Sequence, residues 1–121
     1  MNQLNTNIMR ILILVVLVAV SVSLSAQNKK MIERASSNTE YVAKAMNMDD
    51  SSKQFLYESL LNSYQDAAKR KKGLTDEEKK EVSKEIRKEL KMELNKKFSK
   101  DEVKQIFALI REKREKDKSD K

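Results

Sequence analysis

The sequence predicts an all-α protein of three to four amphipathic helices, arranged as a helical hairpin or small bundle. The chain has no Pro and only one Gly, so it lacks the turn residues that a strand-rich domain needs. It is rich in Lys, Glu, Leu, Ala and Met, which are good helix formers. Apolar residues also recur at helical spacing between short capping signals.

The first 26 residues have the three parts of a secretory signal peptide. Arg10 is the only charge before Lys29, an apolar run covers residues 11–20, and small residues follow it. A membrane-spanning helix needs about 20 apolar residues, and this run is shorter. We therefore expect cleavage after Ala26 and a periplasmic or secreted protein. A retained N-terminal segment that anchors the chain to the inner membrane is the alternative.

Capping signals divide the remaining chain. In a capping box, the N-cap side chain accepts from the N3 amide, and the N3 side chain accepts from the N-cap amide. Two good boxes and one weaker version occur, at Thr75/Glu78, Ser99/Glu102 and Asp49/Ser52. Ser51 with Gln54 competes with the weaker one.

Gly73 directly follows the basic block 69–72. Glycine readily adopts the left-handed conformation that ends a helix, and cations favour the negative end of the helix dipole. We therefore expect one helix to end at Gly73 and the next to begin at Thr75. Helix-end electrostatics is preferred to a phosphate or acidic-lipid contact as the interpretation of the basic block.

These signals predict four helices within a single helical domain of residues 27–116, followed by a polar tail, 117–121, that frays. The expected helices cover residues 29–47, 50–72, 76–97 and 100–116. Helical periodicity assigns apolar faces to three of them. The inward residues are Met31, Ile32, Ala35, Thr39, Val42 and Met46 in the first helix; Leu56, Leu60, Tyr64, Ala67 and Ala68, widened by Phe55, Tyr57 and Leu61, in the second; and Val103, Ile106, Phe107 and Ile110 in the fourth.

The third helix has an apolar residue at every fourth position from Val82 to Phe98. Each four-residue step turns this row by about 40°, so four steps turn it by roughly 160°. The early part can then face the second helix, whereas the late part must face the first helix, the fourth helix or a partner chain. Favourable i,i+3 pairs are expected at Glu81–Lys84, Glu85–Lys88 and Glu93–Lys96.

A partner is expected because the chain is short, has few bulky apolar residues and has no Cys for disulfides. A second copy of the chain is the simplest support, so we expect a homodimer. The expected client or partner contacts are apolar and basic residues of the third helix: Val82, Ile86, Leu90, Met92, Leu94, Phe98, Lys84, Arg87, Lys88 and Lys91.

Composition argues against several functions. The chain has no His and no Cys, which excludes a zinc site built from nitrogen and sulfur ligands, and it has no glycine-rich phosphate loop. We expect no enzyme activity and no cofactor. The net charge is +7, but the basic residues alternate with acids and form no stripe, so we expect no nucleic-acid partner.

The pattern of an apolar residue, a capping residue, two further residues and Glu or Gln resembles the LTxxQ family of small periplasmic proteins, the Spy/CpxP-like group. Residues 74–78 match this pattern with Glu in place of Gln, and residues 98–102 and 48–52 match it more loosely. The resemblance implies a helical, commonly dimeric, cradle-shaped protein. It also implies an ATP-independent chaperone or envelope-stress modulator whose concave face shields unfolded clients.

The first functional hypothesis is therefore an exported helical protein that binds other polypeptides in a chaperone-like way. A second is a peripheral membrane-surface protein, because basic amphipathic helices can lie on anionic lipid. A third is a structural or regulatory partner of another envelope protein.

Overall fold

The computed structural model describes residues 28–120, and these residues form four α-helices and no strand. Helix α1 covers residues 28–46, and it is followed by α2 (Asp50–Lys71), α3 (Asp76–Leu94) and α4 (Lys100–Ser119). The predicted all-α fold with a small helical bundle is confirmed. The predicted signal peptide, residues 1–26, lies outside the described residues, and dimerisation stays a prediction.

All three capping signals begin helices as predicted. At α4 the Glu102 amide donates to Ser99 Oγ at 3.2 Å while the Ser99 amide donates to Glu102 Oε1 at 2.9 Å. This reciprocal pair satisfies two amides that the helix itself leaves without acceptors. At α2 the N-cap is Asp49, whose carboxylate accepts from the Ser52 amide at 2.7 Å.

The capping box of α3 forms as predicted, with one additional hydrogen bond to Glu78. The Glu78 amide donates to Thr75 Oγ1 at 3.3 Å, and the Thr75 amide donates to Glu78 Oε1 at 3.4 Å. The Thr75 hydroxyl donates to the same Glu78 oxygen at only 2.9 Å. A hydroxyl can donate and accept at once. Both hydrogen bonds of the predicted capping box therefore form, and the Thr75 hydroxyl adds a third contact with the Glu78 carboxylate.

The turns before α2 and α3 both use a left-handed residue. Gly73 has a φ of +77°, and a Cβ at this position meets no atom within 4 Å, so backbone conformation alone requires the glycine. The turn after α1 uses Asn47, with a φ of 52°. The Met48 amide donates to the Ala43 carbonyl at 2.9 Å, which makes this turn a Schellman motif. This role of Asn47 was not predicted from the sequence.

Two predicted helix ends are wrong. Helix α3 ends at Leu94 and not at residue 97, because the chain tightens there: the Lys97 amide donates to the Leu94 carbonyl at 3.1 Å, three residues back. Helix α4 extends to Ser119, through most of the tail that was expected to fray. An ion pair between Lys113 and Asp117, 2.8 Å long and one turn apart, supports this extension.

One apolar core joins the helices. Its buried members are Ala35, Val42, Leu56, Leu60, Leu94, Phe98, Val103, Ile106 and Ile110. All of them lie on the predicted faces. Two other predicted inward residues, Ile32 and Ala68, are exposed instead. Both lie near helix ends, beyond the core residues Ala35 and Leu60.

Polar contacts also connect the helices. Arg70 of α2 binds Glu85 and Glu89 of α3 at 2.8 and 2.9 Å, and Asp66 of its own helix at 3.1 Å. The hydrogen bond to Asp66, followed by the charge of Glu89, raises the pKa of Arg70. This contact replaces the predicted Glu85–Lys88 pair, because the Glu85 carboxylate faces Arg70.

The other two predicted pairs of α3 do form, Glu81–Lys84 at 3.6 Å and Glu93–Lys96 at 2.8 Å. Helices α1 and α4 are joined by Lys116 Nζ, which donates to the Tyr41 hydroxyl at 2.9 Å. That hydrogen bond raises the pKa of Lys116.

Candidate binding groove

A groove of about 770 Å³ runs between the four helices, and we call it the basic groove. Its floor is apolar. Leu60, Ile86 and Ile110 belong to the buried residues at the bottom, whereas Leu90 and Phe107 are half-buried and reach into the space above them. The volume lies within the ~300–1,000 Å³ that ligand sites usually occupy.

The polar lining of the basic groove carries charge of one sign. Seven lining residues are cationic and none is acidic, although the chain has 19 acidic residues, all of them in the described part. The cations come from every helix: Arg34 from α1, Lys71 from α2, Arg87 and Lys91 from α3, and Lys104, Arg111 and Arg114 from α4.

These seven cations have no carboxylate partner. Within residues 28–120, no Asp or Glu oxygen lies within the 4.0 Å that defines an ion pair with any of them. Two like charges 10 Å apart in water repel each other by about 0.4 kcal/mol. The seven cations line the same groove and so repel one another, and physiological salt screens these repulsions only partly. An anionic ligand removes them, so the arrangement favours ligands of negative charge.

One wall of the basic groove is held in place by Tyr64. Its hydroxyl accepts a hydrogen bond from Asn38 Nδ2 at 2.8 Å, and the Arg34 guanidinium lies 4.4 Å from the centre of its ring. The second contact is a cation–π interaction, which restrains the arginine side chain as well as the ring. Arg34 is therefore positioned before any ligand arrives.

The structure divides the ten residues predicted to contact a partner. Four of them, Ile86, Arg87, Leu90 and Lys91, line the basic groove. Of the remaining six, Leu94 and Phe98 do not form a surface contact as predicted, because both are buried in the core. The ring of Phe98 packs edge-on against Phe55, with 6.0 Å between the ring centres. Val82 is half-buried, and Met92, Lys84 and Lys88 are exposed outside the groove lining.

The residues of the capping motifs lie apart from the basic groove. None of them belongs to its lining: Asp49, Ser52, Gly73, Thr75, Glu78, Ser99 and Glu102. Glu78 is exposed at the start of α3, where its carboxylate binds Thr75. These residues therefore shape the ends of the helices and contribute no charge to the groove.

The contribution of α4 and of Arg34 was not among the predicted contacts. A signal existed in α4, since Lys104 and Arg111 are seven residues apart and Arg114 follows three residues later, which places all three on one helix face. Arg34 had no such signal. Its place in the groove depends on how α1 packs against Tyr64 of α2.

Two kinds of site are absent from the part of the chain that the structure describes. Residues 28–120 contain no group of three or more His, Cys, Asp or Glu side chains arranged to hold a metal ion. None of the helices described here combines the length and hydropathy needed to cross a bilayer.

Comparisons of the chain with protein-family models, with curated proteins and with solved structures found no match. The resemblance to the LTxxQ family therefore depends on the capping motifs alone. Any functional assignment must come from the geometry of the basic groove.

Proposed function

We propose that this protein is an exported, non-enzymatic binding protein that holds segments of other polypeptides in the basic groove, as an ATP-independent chaperone or an envelope-stress modulator does. One observation carries the proposal: the groove has an apolar floor and a lining whose seven charged residues are all cationic. The apolar floor supplies the hydrophobic contact that an unfolded or partly folded segment needs. The cations supply long-range attraction.

The side chains that line the groove suit clients of variable shape. Lys and Arg have long flexible stems that cover apolar surface while the charged head stays in water. Leu90 and Phe107 are half-buried, so each still has apolar surface to offer a client. A catalytic interpretation lacks support, because the groove lining has no carboxylate, and the chain has no His and no Cys.

Suppression of aggregation tests this proposal directly. Insulin reduced with dithiothreitol is a suitable client, because the protein itself has no Cys and the reductant leaves it unchanged. We expect the protein to suppress light scattering at several-fold molar excess. Leu90→Ser should weaken suppression, whereas Met92→Ser, on the same helix but 71 % exposed and outside the groove lining, should not.

Two results contradict the proposal. One is no suppression at about tenfold excess by a protein that circular dichroism shows to be helical. The other is an equal loss of activity in the Leu90→Ser and Met92→Ser variants, which places the active surface elsewhere.

Membrane-surface binding is the competing function, and co-sedimentation with anionic vesicles at low and physiological salt separates the two. A flat bilayer has no means of filling a concave groove between helices, so we expect at most weak binding that salt removes. The predicted homodimer belongs to the same proposal, and the mass of the free protein in solution tests it.

A further inference from the structure

We infer that the preferred occupant of the basic groove is an amphipathic polypeptide helix whose apolar stripe is flanked by Asp and Glu side chains. This inference rests on the proposed function and specifies its ligand class. It starts from the charge of the groove lining, where seven cations occur with no acidic residue. A generic unfolded client requires no such bias in charge.

The number and distribution of the cations indicate a ligand with several negative charges. They come from four different helices, and seven positive charges line one groove. A fatty acid or a simple phosphodiester headgroup carries one negative charge and leaves most of these cations without a partner. An acidic polypeptide carries carboxylates along its length and can reach cations on several helices at once.

The apolar floor indicates that the acidic ligand also has an ordered apolar face. A plain polyanion leaves the half-buried Leu90 and Phe107 without an apolar contact, whereas an amphipathic helix presents apolar residues at i, i+3, i+4 and i+7. Carboxylates beside that stripe then meet cations of different helices. Arg87 and Lys91 are one turn apart on α3, and Arg111 and Arg114 share a face of α4.

The direct test is fluorescence anisotropy with the full-length protein and a labelled peptide of roughly 18 residues, about five helical turns. The probe carries Leu at helical spacing, with Glu on both sides of the stripe. Three matched peptides replace every Glu by Gln, replace every Glu by Lys, or scramble the order of the same residues.

We expect the Glu peptide to bind about tenfold more tightly than the Gln and scrambled peptides, and the Lys peptide not to bind. Raising the salt from low concentration to about 300 mM should weaken the Glu peptide most, because its extra affinity is electrostatic. Equal binding of the Glu and Gln peptides overturns the inference while leaving the proposed function intact. Equal binding of the Glu and scrambled peptides shows that no helix is required and also overturns it.

A pair of charge-matched variants locates the binding site. The double variant R87E/R111E reverses two groove cations, and K88E/K100E reverses two exposed cations outside the groove lining, so the net charge is the same in both. We expect R87E/R111E to lose about tenfold or more in affinity for the Glu peptide and K88E/K100E to change it less than about twofold. Equal losses show that net charge alone attracts the peptide, which overturns the inference.

Competition excludes the other anionic occupants. Oleate and single-stranded DNA should displace the Glu peptide only at large excess. Displacement by either at stoichiometric concentration overturns the inference, because it identifies a lipid or a polyanion as the better ligand. The insulin assay is a separate readout, so a protein that suppresses aggregation but binds no peptide preferentially refutes the inference and not the proposed function.

Discussion

The two ends of the bundle are built from the same helices but pack very differently. At one end, which we call the closed end, the core residues Val42, Leu56, Leu94, Val103 and Ile106 are each fully buried. At the other end is the basic groove, where Leu90 and Phe107 keep part of their surface in solvent and seven cations stand apart from carboxylates. The closed end is therefore covered by the chain itself, whereas the groove end keeps apolar and cationic surface in solvent.

Helix α3 extends from the basic groove to the closed end, and its apolar row contributes residues to both. Its apolar row starts at Val82, lines the groove at Ile86 and Leu90, and enters the core at Leu94 and Phe98. Because the row turns around the helix axis by about 40° per step, its two halves face different surroundings. The late half, which was expected to face the first helix, the fourth helix or a partner chain, is covered by the chain itself.

The largest expected effect comes from removing core volume at the closed end. Phe98→Ala should lower the free energy of unfolding by about 3 kcal/mol or more, because it deletes a buried ring. Leu90→Ala should cost less than about 1.5 kcal/mol, since its side chain is only half-buried. Urea unfolding followed by circular dichroism measures both values.

This comparison fails if the two variants lose the same stability. A similar loss indicates that the groove floor contributes as much to folding as the closed end does. The Leu90→Ala protein should also bind clients more weakly while remaining folded at room temperature, which Phe98→Ala cannot test if its unfolded fraction is large.

The turn between α2 and α3 provides a second test, with a smaller effect. Gly73→Ala should destabilise the protein by about 1 kcal/mol, because alanine resists the positive φ of 77° even though its Cβ meets no neighbour. Gly73→Asn should recover part of the loss, since asparagine tolerates this conformation better. Thermal unfolding of the three proteins provides the measurement, and an unchanged melting temperature in Gly73→Ala argues against the observed turn.

Removing the N-cap side chain of either capping box should cost about 1 kcal/mol of helix stability. The two variants test the two ends of the bundle. Ser99→Ala removes the cap next to Phe98 and should lower global stability. Thr75→Ala removes the cap of α3 at its exposed start, so we expect faster amide exchange in the first turn of α3 and a smaller global change. Hydrogen exchange by NMR distinguishes these outcomes. Identical exchange patterns in the two variants contradict the proposed difference between the ends.

The smallest expected effect is on the pH dependence of stability, through Asp49 at the start of α2. The hydrogen bond from the Ser52 amide lowers the pKa of Asp49, with a further contribution from the charge of Lys97. A carboxylate with a lowered folded pKa contributes stability above its ordinary pKa and loses it as the pH falls through the lowered value.

Wild type should therefore lose slightly more stability than Asp49→Asn between about pH 5 and pH 3. Asparagine also caps a helix but does not titrate, so the variant isolates the charge of Asp49. Urea midpoints measured across this pH range provide the test. A steeper pH dependence in the variant than in wild type contradicts the assigned hydrogen bond.

Most helix starts could be read from the sequence because capping is local chemistry. The boxes at Thr75 and Ser99 and the stop at Gly73 each depend on residues within four positions of one another. The ends of α3 and α4 were harder to predict. Both were placed three residues off, because the tightening after Leu94 and the extension to Ser119 have no single marker residue.

The candidate site was only partly predictable from the sequence. The α3 residues of the basic groove, Ile86, Arg87, Leu90 and Lys91, followed from helical spacing. The predicted role of Leu94 and Phe98 failed, because periodicity gives the direction in which a residue points but does not identify the element that covers it.

By itself, the sequence determined the helical class, the starts of the helices and the face that each turns inward, since these depend on residues within a few turns of one another. Only the tertiary structure decided which apolar residues are covered by the chain and which line the basic groove. It also brought Arg34, Lys71 and Arg111 together from three different helices. Such neighbours are far apart in sequence, and their proximity depends on packing across the whole bundle.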